Sequence, residues 1–200
     1  MPLNTVMDPP FPRGTYQPYS SLPGEVKANA PFTLVLGQEW EFEDILWNTG
    51  GNGPPDRRSG SRVRCRLVKN DSGSALTPQY VTAIDPLKPG SATGAVGAVN
   101  LEAYPVDEFL PAAGVPADGV FWVVVRGMAL ITMAASITAD ITAGDFLNPS
   151  VVTAGTLDII NSFTANKALF QNIIGARFKA TASLTASGHG GNTLLVEVFS

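Results

Sequence analysis

The chain has 200 residues, 44% of them apolar and only 15% charged, a composition that supports one sizeable folded core. Its 13 basic and 17 acidic residues leave a net charge of −4, so no overall attraction draws it to nucleic acid or to an anionic membrane. Cys65 is the only cysteine and His189 the only histidine. That excludes an intrachain disulfide, fits assembly in a reducing compartment, and falls short of the usual zinc ligand set.

Residues 1–31 hold seven of the 16 prolines, with Phe11, Tyr16 and Tyr19 between them. Proline removes backbone donors and biases its predecessor towards extended geometry, so this stretch is read as an arm rather than a helix or interior strand. Fully extended it reaches about 95 Å. It lacks the basic and apolar regions of a secretory signal. Its aromatics predict docking on a neighbouring subunit; a plain flexible leader is the alternative.

Glu39-Trp40-Glu41-Phe42-Glu43 and Arg62-Val63-Arg64-Cys65-Arg66-Leu67 both alternate at period two, the pattern of half-buried strands. Thr49 to Asp56 between them has the chemistry of a hairpin loop. Pairing Glu43 with Arg62, Glu41 with Arg64 and Glu39 with Arg66 gathers opposite charges on one face. Trp40, Phe42, Val63 and Cys65 gather on the other, and a one-residue slip would bury the charges.

The basic run continues on either side of the ladder, with five arginines and one lysine between Arg57 and Lys69. Nucleic-acid binding would need stacking aromatics on the same face, which the alternation denies. The ladder accounts for three arginines; Arg57 and Arg58 are left as candidate contacts to an acidic partner.

Tyr80 to Ile84 reads as a short strand. From Asp85 to Gly119 five prolines and five glycines fall in 35 residues, which predicts an irregular surface excursion with a short helical turn near Val106 to Leu110. Gly90 to Gly97 lacks the Lys-Ser/Thr of a phosphate loop.

Four strand-like runs follow, Val120–Val125, Ser136–Ala143, Arg177–Leu184 and Thr193–Phe199, the last two joined as a hairpin through a Gly-rich turn. Phe121 to Val125 has no polar face. Either it is the central strand of a sandwich, or a neighbouring subunit covers one side, which makes Phe121 and Trp122 candidate partner contacts. The window Val120 to Ala135 is too short to span a bilayer and contains Arg126.

No catalytic constellation overlies these runs. His189-Gly190-Gly191 lacks a nucleophile elbow and a second histidine, and Asp140, Asp145 and Asp158 do not have calcium-loop spacing. No enzyme activity, cofactor or metal is expected. The fold expected is mainly β: a small antiparallel β-barrel or sandwich over residues 32–200, with the arm 1–31 and the excursion 85–119.

The succession Ile141-Thr142-Ala143-Gly144-Asp145-Phe146-Leu147, the Thr153–Leu157 turn, Ile173–Ala180 and Leu194–Val198 resembles capsid decoration, or cement, proteins of tailed bacteriophages. The resemblance covers roughly residues 120–199. It implies a small β-barrel, commonly trimeric, assembled in the host cytoplasm and bound to the outer capsid surface, where it staples major capsid subunits together. It brings no catalytic residues. A carbohydrate- or receptor-binding β module, such as part of a tail fibre, is the alternative that Trp40, Trp47 and Trp122 suggest.

Overall fold

A computed structural model of the chain describes residues 9, 11–21, 36–46, 56–95, 102–135, 140–150, 153–159, 178–185 and 192–199, with backbone alone at 21, 45–46, 56–61 and 95. Among them the structure is β throughout, apart from one 3-10 turn at Tyr19–Ser21. The strands are β1 (Gln17–Pro18), β2 (Glu39–Leu46), β3 (Asp56–Asn70), β4 (Val81–Asp85), β5 (Lys88–Ala95) and β6 (Glu102–Pro105). They continue with β7 (Gly119–Thr132), β8 (Phe146–Pro149), β9 (Leu157–Ile159), β10 (Phe178–Ala180) and β11 (Thr193–Val198).

Their order is β6-β4-β5-β3-β7-β11-β10-β8-β9, with β1 added to β7 and β2 to β3. Every strand ladder among the described residues is antiparallel except β3 with β5, and the isolated Met133–Leu157 bridge is parallel too. The sheet curls on itself: after β6, Val106 bridges Val123 of β7, and Met133 at the other end of β7 bridges Leu157 of β9. The mainly-β, barrel-like class read from the sequence is what the chain forms.

The long strand β7 organises both cores. Because side chains alternate across a strand, Val120, Trp122 and Val124 enter one core with Val63, Cys65 and Leu67. Phe121, Val123 and Val125 enter a second core with Val68, Ile84, Tyr104, Val106, Leu110 and Val115. The run without a polar face is thus covered on both sides by its own chain.

The segment 85–119, described at 85–95 and 102–119, is more ordered there than its composition predicts. It contains β5 and β6, and Ala92, Ala103, Tyr104, Val106, Leu110 and Val115 are buried. Its prolines and glycines punctuate the strands instead of preventing them. Pro86 and Leu87 turn the β4–β5 hairpin, and the β4–β5 ladder shifts register on both sides of Ile84, as bulged strands do. Near Val106 to Leu110 there is a turn, closed by Leu110 N–H donating to the Asp107 carbonyl at 3.4 Å, with no helix.

The register of β2 on β3 is the expected one: Glu39 faces Arg66, Glu41 faces Arg64 and Glu43 faces Arg62. Arg66 Nη2 meets Glu39 at 2.7 Å, Arg64 Nη2 meets Glu41 at 3.3 Å, and Arg62 reaches diagonally to Glu41 at 3.2 Å. Arg66 also lies over the Tyr104 ring, 5.0 Å from its centroid. The C-terminal pairing holds as well, Phe178 with Val198 and Ala180 with Val196. Here β10 is shorter than expected, and Leu184 leaves it to bridge Ile141. Residues 47–55, 136–139 and 186–191, which carry the first hairpin loop, half of the Ser136–Ala143 run and the C-terminal turn, lie outside the described residues; the other half, 140–143, forms no strand beyond the Ile141 bridge.

Hydrogen bonds from Arg62 and Arg64 hold the Glu41 carboxyl below its ordinary value of 4.5. A lowered acid pKa stabilises the fold above the unfolded value and loses that contribution as pH falls through the folded one, so the ladder weakens on acidification. Arg66→Glu is expected to lower the urea midpoint and added Glu39→Arg to restore part of it. The cycle should give a coupling of about 0.5–1 kcal/mol; strictly additive effects would refute direct pairing.

Candidate functional site

Residues 11–21 lie on the chain's own body. Phe11 is buried against Trp122, ring centroids 5.6 Å apart, and its carbonyl accepts the Trp122 Nε1–H at 3.1 Å. Trp40 and Phe42 of β2 close on the same indole edge-on, at 5.3 and 5.1 Å, the geometry favoured by the aromatic quadrupole. Four rings therefore join the arm, β2 and β7.

Two residues on, the arm is clamped by charge. Asp107 is fully buried, and Arg13 Nε and Nη2 donate to its Oδ1 at 3.2 and 2.9 Å. The Gly14 N–H donates to Oδ2 at 2.7 Å, and the guanidinium lies 4.9 Å from the Phe109 ring centroid. Only 7% of the Arg13 side chain is exposed. Buried charges are tolerated when paired and hydrogen-bonded; here both Asp107 oxygens and the Arg13 Nε and Nη2 are engaged, while Arg13 Nη1 is buried with no hydrogen-bond partner among the described residues. Beyond the clamp, Gln17 pairs with Val120 and Pro18 with Gly119. Tyr19 N–H donates to the Asp118 carbonyl at 3.0 Å. Lys69 Nζ sits 5.0 Å from the Tyr19 ring centroid while bridging Asp71 and Asp118 at 2.8 and 2.7 Å.

These contacts correct the expected roles of several residues. Phe11, Phe121 and Trp122 are buried inside this chain, and so present no surface to a partner. Tyr16 and Tyr19 are partly buried against the second and first cores. Over residues 11–21 the arm docks on the chain's own body; residues 1–8, 10 and 22–35 lie outside the described residues. Arg57 pairs with Ile45 in the β2–β3 ladder, and the side chains of Arg57 and Arg58 lie outside the described residues. Of the tryptophans offered for a sugar site, Trp122 is buried and Trp40 is packed on it; Trp47, like His189, is not among the described residues.

Cys65 is a core residue. Burial, reinforced by Asp107, Glu108 and Asp44 and only partly opposed by Arg13, pushes its thiol up to about 12, so it is a neutral, unreactive thiol at physiological pH. Asp145 is a turn residue ahead of a strand: Thr142 N–H donates to its Oδ2 at 2.8 Å just before β8. Among the described residues no three His, Cys, Asp or Glu side chains stand close enough to hold a metal, and no helix is long and apolar enough to cross a membrane.

One exposed concavity carries charge. Along β7, pairing passes from β3 on its first half to β11 on its second, and a cleft of about 440 Å³ opens there. Gly127 marks the handover, with φ +110°; a Cβ would sit 3.1 Å from the Arg62 carbonyl oxygen and from Val63 Cα. Only glycine allows β3 to pass so close.

No protein-family model matches the chain, and no curated protein is similar to it.

Removing one partner of a buried ion pair leaves the other charge uncompensated. Asp107→Ala should therefore cost about 3–5 kcal/mol and expose Arg13 to trypsin, whereas Arg13→Met with Asp107→Leu should come close to the parent stability. Urea unfolding and limited proteolysis read both; a mild Asp107→Ala with Arg13 still protected would refute the clamp.

Proposed function

We propose that this chain is a structural virion protein that binds the outer surface of an icosahedral phage capsid. There it staples neighbouring major capsid subunits as a homo-oligomer, a trimer in the family it resembles. The observation that carries the reading is the placement of the strands behind the resemblance. The Gly144-Asp145 turn leads into β8, the Thr153–Thr156 turn leads into β9, and both strands join β10 and β11 in one contiguous run of sheet. Sequence segments that resemble decoration proteins thus come together as one structural unit.

The mechanism is mass action. A protein that binds the assembled shell in preference to free subunits stabilises the shell by its differential affinity, and contact with several subunits at once raises the effective concentration of each contact. With residues 11–21 clamped in cis, stapling falls to the exposed surfaces of the body and to the arm outside that stretch. This reading requires no nucleic acid or membrane, and the ladder arginines are engaged by Glu39 and Glu41.

Electron cryomicroscopy of particles assembled with and without the chain tests this reading. The expected result is added density on the outer surface and a higher temperature of genome release or shell collapse. Particles with no such density and unchanged stability would overturn it.

A further inference from the structure

We infer that the cleft at the β3–β11 handover is a docking site for an acidic polypeptide segment that bears an apolar side chain beside its carboxylates, supplied by the shell subunit. Assignment to the shell rests on the function proposed above; the chemistry of the cleft does not.

The first observation is a local conflict of charge. In the β3–β7 ladder Arg64 stands directly opposite Arg126, and both line the cleft together with Arg62. Like charges directly opposite each other in a sheet are destabilising; folding alone would place a neutral or acidic residue at 126.

The second is the balance of charge across the cleft. Three guanidiniums, Arg62, Arg64 and Arg126, face two carboxylates, Glu41 and Glu197, leaving one positive charge over. Glu41 is already engaged by Arg62 and Arg64 through its two oxygens. Arg126 is exposed and makes no ion pair among the described residues. Its planar fork is free to take a carboxylate bidentately, the strongest and most directional arrangement open to it.

The third is the apolar wall. Met128 and Phe199, both partly buried, border the cationic part of the cleft, so the occupant offers an apolar side chain next to its acid. The volume falls within the range of pre-formed ligand pockets, roughly 300–1,000 Å³. A nucleic-acid backbone fits less well. Glu41 and Glu197 would repel successive phosphates, and the aromatics of β2, Trp40 and Phe42, pack on Trp122 rather than standing free for base stacking.

The test titrates acetyl-Leu-Glu-Glu-amide and its Leu-Gln-Gln counterpart into the full-length chain, read by calorimetry and backbone amide NMR. The acidic peptide should shift the amides of Gly127, Met128 and Val198. Its affinity should fall at least tenfold in Arg126→Gln and partly recover in Arg126→Lys, with the thermal midpoint lowered in neither variant and raised slightly in Arg126→Gln, which relieves the repulsion from Arg64. Equal binding of the two peptides, undiminished binding to Arg126→Gln, absent shifts, or tighter binding of inorganic phosphate or a DNA oligonucleotide would overturn the site. Shell co-sedimentation separates the two proposals. Peptide binding by a chain that never sediments with shells keeps the cleft and refutes its assignment to the shell subunit. Sedimentation that Arg126→Gln leaves undiminished refutes that assignment while leaving the capsid function in place.

Discussion

A strand with no polar face cannot stand at a surface, and β7 is such a strand from Val120 to Val125. Everything else in the described fold answers that constraint. One face is closed by β3 through Val63, Cys65 and Leu67 and by Phe11 from the arm. The other is closed by β4 and β6 and by the turn segment that carries Leu110 and Val115. Burying an apolar side chain of this size contributes about 1.5–3 kcal/mol. Two segments whose composition reads as irregular, the Pro-rich arm and the stretch from 85 to 119, therefore supply the lids of the two cores.

The buried Arg13–Asp107 pair is part of the same closure. Phe11 alone would hold the arm by shape; Arg13 fixes which way the arm runs, because its fork meets a carboxylate presented by the turn after β6. Both attachments converge on the Trp122 region, Phe11 through the ring and Asp107 through its N–H to the Trp122 carbonyl at 3.2 Å. Arm, turn and central strand are thus locked into one rigid body. Such a body works through its exterior. Its ladder cations are engaged by Glu39 and Glu41, whereas Arg126 makes no ion pair among the described residues.

Much of this was legible in the sequence where a pattern was local. The Glu39–Arg66 ladder was readable to the residue, because period two fixes the faces and opposite charges fix the register. The pairing of Phe178–Ala180 with the last strand was readable for the same reason. The docked arm was not, since Arg13 and Asp107 are 94 residues apart and no spacing rule connects them. One signal was present: Arg13 is the only charged residue from Pro9 to Gly24, and a lone cation among aromatics and prolines asks for an acid. The strands β5 and β6 were hidden because Pro86, Pro89, Gly90 and Gly94 read as loop, whereas the β4 partner supplies the backbone bonds that local propensity does not. The run Phe121–Val125 left its cover undecided between self and neighbour, and its own two cores provide it.

That closure in cis is the central claim, and hydrogen exchange on the isolated chain tests it most directly. The amides of Val120 to Val125 are expected to rank among the slowest in the protein, with protection independent of protein concentration from the micromolar range upwards and reduced in Phe11→Ala. Protection that falls away on dilution would show that a second subunit completes one face of β7, and would contradict the account.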